Sequence, residues 1–336
     1  MKIAIIPRAS TITPKSHGYT KRLYHLCEGL VRLGHTVKIS GSMDSKLPKG
    51  AKLIKWNKPR KMDYPSQLEY ISDAIKKSQD CDIINCQCDH LSLTFDKWSK
   101  VPVLHTVIYG RLYDDVIDYM KEFPKSLFMA TSNFLKKRYG FLKFKGIVYN
   151  GLNIKEFPLS IKKRKDYFLY LARISQDKQT HLAVKWAKKH KFKLIIAGNI
   201  NDQSYFDKKI KPFLSKNIKY VGKIGFSKKI KYLQQAKATF SLDDYEAFGN
   251  SIIESLACGT PIIGFNNGSF PEIITHKKDG YVLRSLKDIK NAIKFVENIK
   301  HEDCRKKAEK FNVQKMVENY EKLYLKIIKQ NESRNR

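Results

Sequence analysis

The chain has 336 residues, which is enough for about two domains with separate cores. Apolar residues make up 42% and charged residues 29%, which excludes a wholly disordered chain, and there is no run of roughly 18 apolar residues that would predict a bilayer-spanning helix. The formal charge of +33 favours an anionic partner such as a nucleotide, an acidic lipid surface or a nucleic acid.

The amino-terminal segment and the cysteines favour a cytoplasmic protein. Residues 1–7 are too short for the apolar region of a secretion signal and instead predict a buried strand. Six cysteines fit reduced thiols in that compartment. Cys81, Cys86, Cys88 and His90 lie close together, but their spacing is not a usual zinc pattern, so we expect no metal site.

Apolar runs alternate with helical patterns along most of the chain, which predicts parallel sheets flanked by helices. In the first half, a strand at 2–7 leads through a glycine-bearing loop at 17–19 into a helix over 23–33. The other strands predicted in this half span residues 36–40, 82–86, 101–106, 127–131 and 146–149.

A second alternating series begins after the basic stretch 162–165, which we interpret as a linker. Its strands are predicted at residues 167–171, 193–197, 219–221, 238–242 and 261–265. The economical arrangement is an α/β protein of two doubly wound Rossmann-type domains, residues 1–160 and 161–310, with a ligand cleft between them. An apolar stripe at helical spacing predicts a terminal helix over 311–328.

The most informative motif runs from Glu246 to Gly264. It joins the carboxylates of Glu246 and Glu254 to a glycine turn at Gly249 and a helix start. Ser251 and Glu254 have capping-box spacing, which predicts Glu254 in the first turn of a helix whose free N–H groups face an anion. Alone, such a motif is equally typical of a simple cap beside an ordinary loop acid. As a functional site, it predicts a ligand with hydroxyls and phosphates, such as a nucleotide diphosphate sugar.

The whole run, Glu-x7-Glu followed by Ala257-Cys-Gly-Thr-Pro261, resembles the retaining nucleotide-sugar glycosyltransferases of family 4. The resemblance extends over about residues 1–325 and is stronger in the second half. It implies a GT-B-like fold with an acceptor-side first domain and a donor-binding second domain. It also implies that the terminal helix crosses back to the first domain.

Other segments of the second half resemble the family's donor-binding positions. Arg173 and Lys178 match its Gly-Arg-x-x-x-x-Lys segment, although Ala172 and Gln179 stand where glycine is common. A guanidinium and an ammonium at this spacing can clamp a diphosphate and stabilise its charge as it leaves. The resemblance implies that Glu246 binds hydroxyls of the donor sugar. It assigns the ribose to Glu254 and further donor contacts to Gly198, Gly222, Phe248, Gly249, Asn250 and Ser251.

The first half carries fewer of the family's features. Gly18 stands in the place of the glycine-rich loop beside the leaving phosphate, with one glycine of the usual pair. Ile108 stands where a catalytic histidine is usual, so a histidine that contacts the sugar would be His105 or His17. Strand alternation points His105 to the opposite face from Ile108, which fits a buried structural role as well.

Together these residues favour a cytoplasmic, metal-independent enzyme that moves a hexose, for example mannose or glucose, from a UDP- or GDP-sugar. The acceptor is expected to be a hydroxyl of a glycan, glycolipid or glycoprotein, and no cofactor besides the donor is expected. The resemblance alone implies retention of anomeric configuration. Catalytic roles are expected for Glu246, Arg173, Lys178 and His105. The pair Asp243-Asp244 is expected to be solvated rather than a metal motif.

Three other functions stay open at this point. A non-catalytic nucleotide-sugar binder fits Ile108 and the reduced glycine loop, and a nucleotide-sugar epimerase can use the same fold. A nucleic-acid-binding protein fits the charge of +33. However, basic clusters such as 162–165 and 188–191 are too scattered to define one stripe, so we expect no nucleic acid as a partner.

Residues 133–145 have two interpretations. Aromatic residues alternate there with cations, including Lys136, Lys137 and Arg138, which is typical of a peripheral contact with an anionic membrane. Gly140 interrupts the amphipathic face, which favours an ordinary helix whose rings pack inward.

Overall fold

The computed structural model describes residues 1–8, 11–14, 18–57 and 63–335. The chain forms two compact units. The first combines Met1–Gly151 with the carboxyl-terminal segment from Val313, and the second is Leu152–Asn312. The chain therefore leaves the first unit after Gly151, earlier than the boundary near residue 160 expected from the sequence.

The described part of the first unit contains a seven-stranded parallel sheet. Its strands are β1 (Lys2–Pro7), β2 (Thr36–Ser42), β3 (Lys52–Trp56), β4 (Ile83–Gln87), β5 (Val103–Val107), β6 (Leu127–Ala130) and β7 (Phe144–Ile147). They are ordered β3-β2-β1-β4-β5-β6-β7, so the direction of winding reverses between β1 and β4. This is the doubly wound arrangement predicted from the alternating pattern.

Helices cover both faces of this sheet. They are α1 (Gly18–Arg32), α2 (Tyr64–Lys76), α3 (Asp114–Lys121) and α4 (Asn133–Arg138). Side chains alternate along β1, so Ile3 and Ile5 join one buried cluster, whereas Ala4 and Ile6 join the cluster on the opposite face. Burial on both faces explains why this strand is a continuous apolar run from Ile3 to Pro7.

In the second unit every residue is described, and its parallel sheet has six strands in the order β10-β9-β8-β11-β12-β13. The strands are β8 (Phe168–Leu171), β9 (Leu194–Ala197), β10 (Ile218–Tyr220), β11 (Thr239–Ser241), β12 (Ile262–Phe265) and β13 (Gly280–Leu283). Its helices are α5 (Thr180–His190), α6 (Gln203–Lys209), α7 (Phe226–Gln235), α8 (Asn250–Ala257), α9 (Phe270–Ile273), α10 (Ile289–Phe295) and α11 (His301–Glu309). The winding reverses between β8 and β11, where ligands of such sheets commonly bind.

The terminal helix α12 (Val313–Asn335) is part of the first unit. Its apolar stripe, which includes Tyr320 and Tyr324, joins the same cluster as Ile3 and Ile5. The packing against α1 is close, because a Cβ atom added at Gly29 would lie 2.4 Å from Val317 Cγ2. The stripe seen in the sequence therefore serves as core.

The sequence predicted the existence of most strands, with bounds that differ by a few residues. It missed β3 and β13. In the described residues, no helix is both long and apolar enough to cross a membrane. The same residues contain no group of three or more His, Cys, Asp or Glu side chains able to hold a metal ion.

Residues 133–145 form α4 and the turn that follows it. Leu135, Tyr139 and Leu142 are buried, so part of the aromatic and apolar surface packs inward. Phe141 is 44% exposed, and the ammonium of Lys121 lies 5.8 Å from its ring centroid. The segment thus presents one exposed ring among surface cations.

Candidate functional site

Charged side chains meet at the carboxyl edge of the second sheet, where the winding reverses. Lys178 follows β8, and Asp243 and Glu246 follow β11. Because β8 and β11 are parallel neighbours, the segments after them reach the same edge. Lys178 Nζ donates to Asp243 Oδ2 and lies 3.4 Å from Glu246 Oε2.

The Lys178 ammonium is largely removed from water, with its side chain 17% exposed. Burial by itself would lower the pKa of Lys178, but the negative charges of Glu246 and Asp243 outweigh it and raise the pKa above the usual value. The side chain is therefore a fixed cation at neutral pH.

The backbone around Lys178 is held in a specific conformation. The Tyr170 hydroxyl on β8 donates to the Lys178 carbonyl oxygen, and burial raises the pKa of Tyr170 well above the usual value. The next residue, Gln179, has φ 53°, in the left-handed region that glycine adopts more readily. This conformation explains why a glycine suits the position after the lysine.

Glycines allow the Glu246 loop to fold tightly. Gly249 has φ +82°, and a Cβ atom there would lie 2.3 Å from Ile252 Cδ1 and 3.2 Å from Glu246 Cγ. A Cβ atom at Gly268 would lie 2.7 Å from the Glu246 carbonyl oxygen, which accepts a hydrogen bond from Ser269 N–H at 2.9 Å. Glu246 Oε1 makes no hydrogen bond within the described part of the chain, so it can accept one from a ligand hydroxyl.

Glu254 lies on α8 and is paired with Lys229 on α7. Lys229 Nζ is 2.9 Å from Glu254 Oε1, and the two side chains are 15% and 11% exposed. The Lys229 ammonium also lies 5.4 Å and 5.2 Å from the ring centroids of Phe157 and Phe226. Glu254 Oε2 has no hydrogen-bond partner among the described residues and can accept from a ligand.

The predicted capping box is wrong. Helix α8 begins at Asn250, its N-cap is Gly249, and no side chain caps it. Glu254 therefore lies in the second turn rather than the first. The left-handed conformation of Gly249 sets the start of the helix. The Ser251-x-x-Glu254 spacing therefore has no part in capping it.

Arg173 lies outside the buried cluster. Its side chain is 56% exposed, and its Nη2 is 3.4 Å from Asp177 Oδ2. The sequence pairs Arg173 with Lys178 as one clamp, whereas in the structure one cation is exposed and the other is held between two carboxylates.

Gly198 and Gly222 lie together at the ends of β9 and β10. Gly198 N–H donates to the Gly222 carbonyl oxygen at 3.0 Å, and the Tyr220 hydroxyl donates to the Gly198 carbonyl oxygen at 2.8 Å. A Cβ atom at Gly198 would lie 1.8 Å from the Ala172 carbonyl oxygen, so only glycine fits there. Both glycines thus shape the sheet edge beside β8.

Three further donor-binding candidates lie around the start of α8. Phe248 is 2% exposed and packs edge-on against Phe311 at 5.7 Å, so its ring belongs to the interior of the unit. Asn250 and Ser251 form the first turn of α8, directly after Gly249. Their backbone N–H groups lie at the positive end of this helix.

In the first unit, the structure leaves His105 with no free ring nitrogen. His105 is 2% exposed on β5; its Nδ1 lies 2.8 Å from Ser92 Oγ and its Nε2 lies 2.7 Å from Asp96 Oδ1. Both nitrogens already have protein partners, which argues against the expected contact of His105 with a sugar. Gly18 begins α1 with φ +56°. His17 lies outside the described residues.

Two residues of the site were missed by sequence reasoning. Asp243 was expected to be solvated, yet its side chain is 9% exposed and bonded to Lys178. Lys229 was one lysine among many in a basic chain. Knowledge of the strand order would have indicated Asp243, because β8 and β11 are adjacent and the segments that follow them meet at one edge of the sheet.

Comparisons with known proteins agree with this fold. Sucrose-phosphate synthase from Thermosynechococcus elongatus superposes with a TM-score of 0.79 at 16% identity, covering 98% of this chain and 99% of that chain. Anabaena HepE, solved in complex with UDP and glucose, gives a TM-score of 0.72 at 15% identity, covering 96% of this chain and 98% of that chain. At such identities the likeness establishes the fold, which is GT-B.

The sequence comparisons concern the second unit most directly. Residues 153–314 match the family model of glycosyl transferases group 1, and this range is nearly the whole second unit. The second unit is therefore the part of the chain that is similar to group 1 glycosyl transferases. N-acetyl-alpha-D-glucosaminyl L-malate synthase from Bacillus anthracis is 29% identical over 26% of this chain, a match that spans only 26% of the relative.

Proposed function

We propose that this chain is a family 4 retaining glycosyltransferase that transfers a hexose from a UDP- or GDP-sugar to an acceptor hydroxyl. The observation that carries the proposal is the cluster at the carboxyl edge of the second sheet. There, Lys178 lies between Asp243 and Glu246, and the carboxylate of Glu254 follows on α8. This combination suits a ligand that has hydroxyls and a diphosphate.

Each charged group has a role that its hydrogen bonds support. Glu246 Oε1 accepts from hydroxyls of the donor sugar, and Glu254 Oε2 accepts from the ribose. The Lys178 ammonium has three N–H donors, of which two are directed at Asp243 and Glu246, so the third serves the diphosphate. Arg173, which is exposed, adds a second cation when it moves from Asp177 to the leaving phosphate.

In the transfer step the acceptor oxygen forms a bond to the anomeric carbon while the bond from that carbon to the phosphate oxygen breaks. The acceptor proton passes to the departing phosphate oxygen on the same face of the sugar, and the nucleoside diphosphate leaves. Lys178 stabilises the negative charge that accumulates on it. Both nitrogens of His105 are engaged by Ser92 and Asp96, so His105 takes no part in this proton transfer.

Similar proteins support a nucleotide-sugar donor. HepE was solved with UDP and glucose, and the Bacillus relative is named as a synthase of N-acetyl-alpha-D-glucosaminyl L-malate, a sugar-containing product. The acceptor we propose is a glycan, glycolipid or glycoprotein, and the reaction we propose is metal-independent and cytoplasmic. Exposed Phe141, among Lys136, Lys137 and Arg138, supports a peripheral contact with an anionic membrane.

The test is calorimetric titration with a panel of UDP- and GDP-sugars, followed by assays of donor hydrolysis and transfer. We expect one nucleotide to bind, activity to persist in excess chelator, and the product to keep the donor's anomeric configuration by NMR. Binding without hydrolysis or transfer would favour a non-catalytic binder, and a changed sugar without acceptor would favour an epimerase. Complete, metal-reversible loss of activity in chelator would contradict metal independence.

A further inference from the structure

Asp243 occupies an unusual place for an acidic loop residue. Its Oδ2 accepts from the Lys178 ammonium, and its Oδ1 accepts from Tyr245 N–H at 2.8 Å. Both carboxylate oxygens are thus fixed, one by a side chain and one by the backbone of its own loop. At 9% exposure the group is held more rigidly than a surface acid.

The Lys178 ammonium lies at unequal distances from its two carboxylate partners, Asp243 and Glu246. It contacts Asp243 closely but stays 3.4 Å from Glu246 Oε2, beyond the usual length of about 2.7–2.9 Å for a charge-assisted N–H···O bond. The ammonium is therefore drawn toward Asp243 and away from Glu246. Without Asp243, Glu246 would be the nearest carboxylate, and Coulomb attraction would draw the ammonium onto it.

Such a collapse would remove two groups from use at once. A tight Lys178–Glu246 pair would occupy the carboxylate that binds sugar hydroxyls and the cation that binds diphosphate. We propose that Asp243 is a positioning residue that holds Lys178 apart from Glu246, so that both groups stay available to the donor. This inference rests on the proposed function of the site and adds a residue that determines donor-sugar specificity.

The test compares Asp243→Asn with Asp244→Asn, which removes the same charge from the neighbouring position. The amide introduced by Asp243→Asn would keep an oxygen for Tyr245 N–H, so the loop should fold, and Asp243→Ser is the second variant. Asp244 is exposed and accepts from Asn267 Nδ2 at 3.1 Å, away from Lys178. Melting temperature verifies folding for each variant before kinetics.

Turnover is measured with the donor sugar that the unaltered chain uses and with its 4-epimer on the same nucleotide. We expect Asp243→Asn to lower kcat/KM for the preferred donor by about tenfold or more and to reduce discrimination between the epimers, because one partner of a buried charge pair is lost. Affinity for the nucleoside diphosphate alone should fall as well, by about threefold or more, because the Lys178 ammonium is then drawn onto Glu246 and is less available to the diphosphate. Asp244→Asn should leave all three quantities within about twofold of the unaltered chain.

A double-variant cycle establishes whether Asp243 acts through Lys178. In a Lys178→Gln background, Asp243→Asn should have little further effect, because the residue it positions is absent. Additive losses, or an Asp243 variant that behaves like the Asp244 variant, would overturn the inference alone. If the unaltered chain binds and turns over no nucleotide sugar, the proposed function itself fails, and the inference with it.

Discussion

Replacing Glu254 by alanine separates the stability of the second unit from its affinity for a donor. The carboxylate is paired with Lys229 at 2.9 Å, and the two side chains are 11% and 15% exposed. Loss of one partner of a fully buried pair costs about 3–5 kcal/mol, whereas an exposed pair contributes about 0–1 kcal/mol. This pair lies nearer the buried case.

The aromatic contacts of Lys229 reduce that cost. Its ammonium keeps the rings of Phe157 and Phe226 at 5.4 and 5.2 Å, and each such contact contributes about 0.5–1 kcal/mol. We therefore expect Glu254→Ala to destabilise the second unit by about 2 kcal/mol. For a unit of this size, that corresponds to a fall of about 4–8 °C in Tm.

Donor affinity should fall independently of stability. A hydrogen bond from ribose to a carboxylate contributes about 1.5–3 kcal/mol, so Glu254→Ala should raise the donor Kd by about tenfold or more. Lys229→Met is the matched control, because it breaks the same pair but keeps the carboxylate, and it should raise the Kd by less than about threefold. Calorimetry at a temperature where both variants are folded measures this difference.

An unchanged donor Kd in folded Glu254→Ala would refute the assignment of Glu254 to the ribose. Equal losses of affinity in the two variants would refute it as well, because the damage would then follow from the broken ion pair rather than from the missing carboxylate.

The other predictions concern different parts of the site. Glu246→Gln should lower turnover and reduce discrimination among donor sugars on one nucleotide, as measured by steady-state kinetics with two epimeric donors. Unchanged discrimination would contradict the assignment of Glu246 to the sugar hydroxyls. Lys178→Ala should lower kcat more than it lowers donor affinity, because contacts that strengthen in the transition state act on the rate. Its effect on kcat should exceed that of Arg173→Ala, since Arg173 is exposed. A wild-type kcat in both variants would exclude the clamp. Gly198→Ala should lower the Tm of the second unit by several degrees or prevent folding, because its Cβ would lie 1.8 Å from a carbonyl oxygen. Calorimetry measures the Tm, and a Tm equal to that of the unaltered chain would contradict this geometry. Phe141→Ser should weaken sedimentation with anionic but not neutral liposomes at low salt, and absence of lipid binding by the unaltered chain would remove the membrane interpretation.

Strand and helix patterns are local properties, and most of them could be predicted from the sequence. The strand β1 is an unbroken apolar run from Ile3 to Pro7, because these residues are buried on both faces of the sheet. Such a run can be recognised without knowing which strands lie beside it. The strand β3 was missed, since Lys52 and Lys55 interrupt its apolar residues at the edge of the sheet, where solvent is near. The four-residue strand β13 is too short to show a period.

The motif from Glu246 to Gly264 indicated the region of the site, because it combines carboxylates, which accept hydrogen bonds, with glycines, which allow tight turns. Both properties follow from the residue type alone. The residue at which the helix begins within this motif depended on the backbone conformation of Gly249. A Ser-x-x-Glu spacing predicts a cap only where the helix begins at the right residue, and the positive φ of Gly249 moves that start.

Which charges meet was decided by the tertiary structure. Lys178 and Asp243 are 65 residues apart, and they come together because β8 and β11 are neighbours in the sheet. Lys229 reaches Glu254 from another helix, and His105 finds Asp96 and Ser92 from an adjacent segment. A sequence specifies which ionisable groups are present, but their burial and partners arise from strand order, since Coulomb and desolvation energies depend on distances that only the folded chain defines.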